Sequence, residues 1–244
     1  MDYLAATANK KYLMFISQNY SYAILRPLQR EILARGGEVR WFLYGDEVNP
    51  NFLHQDEIRL LSVDELKDWR PDIVYVPGNV VPDFIPGKKV AVFHGFNSGK
   101  RMNKGVDNHF NIRGCFDLYC TQGPTTTTTF LELAQQHGFF KVKETGWPTL
   151  DPYFSEIENN PYKNHDDNRK TLLICSTFSK RLSLAPKLYE QIKAYSEQGK
   201  WRILVQFHPK MPSEIVEQYK ALQNDSLTFV ETDNVLPLLQ AADV

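Results

Sequence analysis

What most constrains this chain is a rhythm: short apolar runs of strand length, each followed by residues at helical spacing. Residues 11–17 form the first apolar run. Ile24, Leu25, Leu28, Ile32 and Leu33 then recur at helical intervals until Gly36-Gly37 stops the helix. Residues 38–44, 72–76, 89–93 and 116–121 read as further strands, with a short helix at 63–69 and a Thr-rich helix at 124–137. Strands separated by helices need crossover connections, so the pattern predicts an α/β fold with parallel sheets.

A polar stretch without periodicity, rich in Asn and Asp, interrupts the rhythm up to Arg169. Beyond it the alternation restarts, with strands at 171–175, 202–207 and 227–230 and helices at 185–198, 212–223 and 235–242. The expected organisation is a Rossmann-like domain at 1–155, a linker at 156–169 and a second Rossmann-like domain at 170–244. A cleft is expected between the two. Leu239 to Val244 reads as a helix running into a new strand, so the second domain is expected to be incomplete and the chain to be a piece of a longer protein.

Composition excludes several classes. A formal net charge of −1 over 244 residues does not suit binding driven by phosphate neutralisation, so no nucleic-acid partner is expected. No stretch approaches the ~20 consecutive apolar residues of a membrane span, and no signal-peptide core opens the chain. Cys115, Cys120 and Cys175 lack metal-ligand spacing and read as buried thiols at strand positions in a reducing, cytoplasmic setting. His54, His109, His137 and His165 sit in polar sequence without HxH or HExxH spacing, so neither metal nor cofactor is expected.

Two histidines stand apart, one per half. Val90-Ala91-Val92-Phe93 runs into His94-Gly95, and Ile203-Leu204-Val205-Gln206-Phe207 runs into His208-Pro209. Open α/β sheets bind ligands beyond the carboxyl ends of their strands, and imidazole titrates near neutral pH, so His94 suits general-base work. A histidine closing a strand by backbone hydrogen bonds is the competing reading. Gly95 would let backbone approach a ligand, and Lys100, Arg101 and Lys104 add positive charge downstream. GxxxxGK[ST] is absent, which disfavours nucleoside-triphosphate hydrolysis.

Pro209 fixes the turn after His208, and Lys210 adds a cation that can face a phosphate. Ser176, Thr177, Lys180 and Arg181 follow the first strand of the second half as candidate phosphate contacts, with an ordinary helix cap as the alternative. The Thr125–Thr129 run reads as a helix start with capping hydroxyls and no catalytic part. No GxSxG elbow is present.

In this order the landmarks resemble the CDP-glycerol glycerophosphotransferase family, of the teichoic-acid polymerase and primase type. The resemblance rests on His94-Gly95, Phe116-Asp117-Leu118-Tyr119 leading to Pro124, Gly146-Trp147-Pro148-Thr149-Leu150-Asp151, and Val205-Gln206-Phe207-His208-Pro209, and it spans roughly residues 90 to 244. The closing segment from Asp233 to Val244 looks like the family's approach to its final phosphate-binding loop.

The resemblance implies a GT-B-like pair of domains and transfer of glycerol phosphate from a CDP-activated donor to a hydroxyl of a cell-surface glycopolymer or lipid-linked precursor. His94 would then be the base, and His208 would contact the donor pyrophosphate. Gly146, Pro148 and Asp151 would shape the cleft. The family also implies work at the inner face of the cell membrane, though no strongly amphipathic basic helix is evident.

Three features depart from the family pattern. Thr149 stands where an arginine is usual, Phe96-Asn97-Ser98 replaces the usual continuation, and a Ser/Thr-rich loop is expected after Val244. Two other readings therefore stand beside the transferase: a GT-B nucleotide-sugar glycosyltransferase or UDP-sugar 2-epimerase relative, and a non-catalytic nucleotide-binding module.

Overall fold

The computed structural model describes residues 9–95, 108–154, 159–163, 167–179, 181–232 and 234–244. Two compact units divide the chain, Met1–Asp151 and Pro152–Val244.

The first unit is built on seven strands: β1 (Lys11–Ile16), β2 (Glu38–Leu43), β3 (Arg59–Leu60), β4 (Ile73–Val76), β5 (Lys88–Ala91), β6 (Leu118–Thr121) and β7 (Lys141–Glu144). Every pairing is parallel, in the order β3-β2-β1-β4-β5-β6-β7. The chain winds outward from β1 to β3, then returns to lay β4 on the opposite side of β1. The crevice between β1 and β4 is thus the topological switch point.

Helices α1 (Ser21–Ala34), α2 (Val63–Trp69) and α3 (Pro124–His137) cover the sheet. Both faces are apolar because both are covered. Leu13 and Phe15 of β1 enter one cluster with Leu66, Trp69 and Phe130 of α2 and α3. The alternate residues Tyr12, Met14 and Ile16 enter another with Tyr22, Ile24, Leu25 and Ile32 of α1. This period of two is what a buried strand imposes.

Edge strands β3 and β7 escape sequence reading. Lys141-Val142-Lys143-Glu144 is mostly exposed, so it shows charge rather than apolar alternation, as edge strands commonly do. The 89–93 strand expected from sequence ends earlier, at Ala91, because Phe93 leaves β geometry with φ 59°.

The second unit contains β8 (Thr171–Ser176), β9 (Arg202–Phe207) and β10 (Leu227–Phe229), parallel in the order β10-β9-β8. Helices α4 (Asp151–Phe154, which straddles the division), α5 (Ala185–Gln198), α6 (Ser213–Lys220) and α7 (Leu236–Ala241) accompany them. Ile203, Val205 and Phe207 pack against α5 and α6, while Leu204 packs with Leu238 of α7. Asp243 and Val244 hydrogen-bond to Thr171 and Leu173 of β8.

Part of the expected linker belongs to this unit. Asn160 is buried and donates to the Pro237 carbonyl at 2.8 Å. The Arg169 guanidinium bonds Asp167, Ser226 and two backbone carbonyls.

Of the three cysteines, Cys120 fits the expected strand thiol and the other two depart from it. Cys120 lies in β6, where burial pushes its thiol up to about 11. Cys115 precedes that strand, and Cys175 is exposed on β8.

One buried ion pair organises the crossover after β2. The Glu57 side chain is fully buried; it accepts from Arg26 Nε at 2.9 Å, Gln29 Nε2 at 3.1 Å and His54 N–H at 2.9 Å. Burial by itself would raise this carboxyl. The Arg26 and His54 hydrogen bonds, with their charges, outweigh that and hold it below the usual carboxylate value. Its contribution to stability is therefore present above the ordinary carboxylate range and is lost as pH falls through the lowered value. Arg26→Met should cost about 3 kcal/mol in urea unfolding, by stranding a buried charge. It should also move acid unfolding to higher pH, because burial then dominates the carboxyl.

Candidate functional site

At the switch point, three strand ends of the first unit meet. His94 follows β5, Pro77 follows β4, and Tyr20 follows β1 at the start of α1. His94 Nδ1 lies 3.0 Å from the Pro77 carbonyl oxygen, and its ring lies 5.3 Å from that of Tyr20, tilted by 30°. A carbonyl only accepts, so the partner assigns the proton to Nδ1. The neutral ring then keeps a lone pair on Nε2, the arrangement a general base requires.

The backbone before His94 is strained. Phe93 adopts φ 59°, a left-handed conformation that a bulky residue rarely takes. Its buried ring meets Phe130 at 5.4 Å, Tyr119 at 6.0 Å and His109 at 5.0 Å. Aromatic packing thus holds the turn that delivers His94. His109 correspondingly sits among Phe93, Phe110 and Phe130 rather than in polar surroundings. His137 likewise packs beside Phe139 and Phe140, whereas His54 stands 4.0 Å from Glu57. Among the described residues, nothing lies within 4 Å of the position a Cβ would take on Gly95. Residues 96–107, His165 and Lys180 lie outside the described residues.

In the second unit, the His208 N–H extends the β8–β9 ladder to the Ser176 carbonyl at 3.2 Å. The Lys210 backbone N–H donates to His208 Nδ1 at 3.0 Å. Here the partner is a donor, so Nδ1 is unprotonated and Nε2 carries the hydrogen. His208 is half-buried, with its ring 4.6 Å from Phe178. Burial, and then the Lys210 charge, hold it below the ordinary histidine value, so it is neutral at pH 7. The two rings are opposite tautomers: His94 offers an acceptor, His208 a donor.

Of the candidate phosphate contacts in this unit, Thr177, Arg181, Pro209 and Lys210 are exposed. Ser176 is not. It is buried, pairs with Ser183 at 2.9 Å and accepts from the Leu184 and Ala185 N–H groups at the start of α5. With its oxygen accepting both N–H groups, its hydroxyl hydrogen is left to Ser183 and none is spare for an anion; it serves the start of α5 from the end of β8, although Leu184 is that helix's N-cap residue.

Beyond β7, Gly146 turns with φ 71°, and Pro148 opens a single 3-10 turn, Pro148–Leu150, that packs on α1. Asp151 begins α4. Thr149 is buried, and its Oγ1 has no partner among the described residues.

The threonine run differs from its expected capping. Thr126 and Thr127 hydroxyls donate back to the Gly123 carbonyl, at 3.0 and 2.8 Å, instead of accepting from helix N–H groups.

Two surface concavities, of about 530 and 670 Å³, lie at the opposite, amino ends of the strands. Arg70, Lys89 and Asp117 line the first, and Asp167, Lys200 and Trp201 the second. They lack the imidazoles and sit where parallel sheets seldom bind ligands. Tyr20, Pro77 and Phe178 were invisible as site residues in the sequence: no linear motif marks them, and only the strand order brings them to the histidines, while Phe93 adjoins His94 in the chain but its left-handed turn could not be read.

No protein-family model matches the sequence, and no curated protein matches it. Solved structures do match its fold. MnaA from S. aureus, in complex with UDP, superposes with a TM-score of 0.59 at 13% identity, over 95% of this chain and 71% of its own. A UDP-GlcNAc 2-epimerase from Neisseria meningitidis, bound to UDP-GlcNAc, gives 0.51 at 13%, over 94% and 74%. The wall teichoic acid polymerase TagF, soaked with CDPG, gives 0.64 at 12%, over 98% of this chain but 65% of its own, so this chain spans under two thirds of that protein. The architecture is therefore α/β with two GT-B-like Rossmann domains, a fold shared with these enzymes. Among the described residues, no helix is long and apolar enough to cross a membrane.

Two measurements test this local geometry. Phe93→Ala and Phe93→Gly should each lose about 3 kcal/mol with the buried ring. The glycine variant should nonetheless be the more stable by about 1 kcal/mol in urea unfolding, because it alone relieves the left-handed backbone. For His208, Lys210→Gln should raise the imidazole pKa in an NMR titration, yet leave it below that of an exposed histidine because burial remains.

Proposed function

We propose that this chain belongs to a transferase that moves a polyol-phosphate unit, glycerol phosphate by resemblance, from a CDP-activated donor to an acceptor hydroxyl. The acceptor class is a cell-surface glycopolymer or its lipid-linked precursor. The observation that carries the reading is the pair of complementary tautomers at carboxyl ends of parallel strands, one base-competent and one donor-competent.

In this scheme His94 Nε2 takes the proton of the acceptor hydroxyl as its oxygen attacks the phosphorus that bears the polyol. A new P–O bond forms and the bond to the bridging oxygen breaks, releasing CMP. The Nε2–H of His208 and the exposed cations Lys210 and Arg181 oppose the charge gathering on the departing cytidylate. Thr177 and Pro209 line that side, and Lys180 joins it as a proposal from sequence alone. Positioning and charge neutralisation carry most of such a reaction. Ser176 has no part in it. Gly146, Pro148 and Asp151 are proposed to shape the acceptor side through the turn packed on α1. The proposed setting is cytoplasmic, with peripheral contact at the inner membrane face where a lipid-linked acceptor is presented.

The likeness to MnaA and the UDP-GlcNAc 2-epimerase supports a second reading, in which the donor-side histidine faces a UDP-sugar. The same fold with another base would serve either substrate.

His94→Ala in the full-length protein should reduce CMP release from CDP-glycerol, with acceptor present, by roughly 10²- to 10⁴-fold. Unchanged turnover would remove His94 as the base. No release by the parent protein, together with a thermal shift on UDP-GlcNAc and none on CDP-glycerol, would move the assignment to the second reading.

A further inference from the structure

His94 is exposed, and a single hydrogen bond to Pro77 cannot by itself fix a ring that rotates about two side-chain bonds. Among the described residues, Tyr20 supplies a second constraint, since its half-buried ring lies against the imidazole at 5.3 Å. The Tyr20 segment is itself tied on two sides. Asn19 Oδ1 accepts from the Asn49 N–H at 2.7 Å, and the Tyr22 hydroxyl donates to the Asn49 carbonyl at 3.1 Å. Gln18 Nε2 donates to Glu47, joining the loops after β1 and β2. The backbone of the segment closes on itself, with Ser21 and Tyr22 N–H groups bonded to the Gln18 and Asn19 carbonyls. Tyr20 therefore stands on a braced platform, unlike a loose surface tyrosine.

The phenol is kept neutral, first by burial and then by the neighbouring Glu47 carboxylate. Its hydroxyl makes no hydrogen bond among the described residues. The part of Tyr20 that is used here is the ring.

We infer that Tyr20 is a positioning residue for His94: its ring supports the imidazole while the Pro77 carbonyl holds Nδ1–H, leaving Nε2 to the ligand. The inference deepens the proposed function, since it concerns the same base, but it makes a claim about the unliganded ring that stands apart from turnover. It also distinguishes ring from hydroxyl. Phenylalanine should serve as well as tyrosine, and an aliphatic side chain should not.

The test compares Tyr20→Leu and Tyr20→Phe in the full-length protein by two readouts. Long-range ¹H–¹⁵N spectra of the histidine rings, with His94 assigned by its alanine variant, report the tautomer without substrate. The parent and Tyr20→Phe should show the Nδ1–H form, and Tyr20→Leu a mixture. In CMP release, Tyr20→Leu should lower kcat roughly 10- to 100-fold with acceptor KM little changed, and Tyr20→Phe should hold kcat within about threefold. Tyr20→Met takes the place of the leucine variant if that one does not fold.

An unaltered tautomer and kcat in the aliphatic variant would overturn the inference. Equal damage from phenylalanine would overturn it too, by making the hydroxyl the functional group. A tautomer shift in a protein whose parent releases no CMP would uphold the positioning role and sink the transferase reading instead.

Discussion

Parallel pairing throughout both sheets is the constraint from which the remaining structure follows. A parallel ladder cannot be closed by a hairpin, so each strand of the first sheet after β1 is reached by a crossover that carries the chain back over the sheet. All strands of a sheet then share one carboxyl edge, and every loop leaving a strand gathers there. Where the winding reverses, between β1 and β4, neighbouring loops part and leave a crevice. Tyr20, Pro77 and His94 follow β1, β4 and β5, with Pro77 and His94 17 residues apart and Tyr20 far upstream of both. They meet because that reversal leaves them nowhere else to go.

The chemistry at each carboxyl edge is decided by a single backbone group. A carbonyl beside His94 Nδ1 fixes a proton there; an amide beside His208 Nδ1 excludes one. The same side chain thereby acquires opposite hydrogen-bonding character without any charged partner having to be buried. Lys210 reinforces the second case, since its charge discourages a proton on His208. The strained Phe93 backbone shows what such placement costs. The left-handed turn persists because four aromatic side chains, Phe93, Tyr119, Phe130 and His109, pack around it.

Much of the fold could be read from periodicity. The helices at Val63–Trp69, Pro124–His137 and Ala185–Gln198 and the strand Arg202–Phe207 match the sequence reading at both ends, because each has a clear apolar face or a marked stop. The edge strands β3 and β7 of the first sheet could not be read, since β3 is only two residues long and β7 meets solvent with lysine and glutamate like a loop. The histidines were legible as strand-end residues. That His109 belongs to an aromatic cluster was not: Phe110 beside it gave one aromatic neighbour, but its other ring partners, Phe93 in the turn after β5 and Phe130 on α3, come to it only through the fold.

From the order of residues alone came the α/β class, the parallel sheets, the two-part organisation and the two imidazoles, because these depend on local spacing that survives in one dimension. Tertiary structure alone decided which nitrogen of each imidazole is left to a ligand, which hydroxyls are already committed, and which aromatic rings flank the histidines. Those depend on contacts between strand ends far apart in the chain, and a hydrogen bond is set by where its partner sits in space.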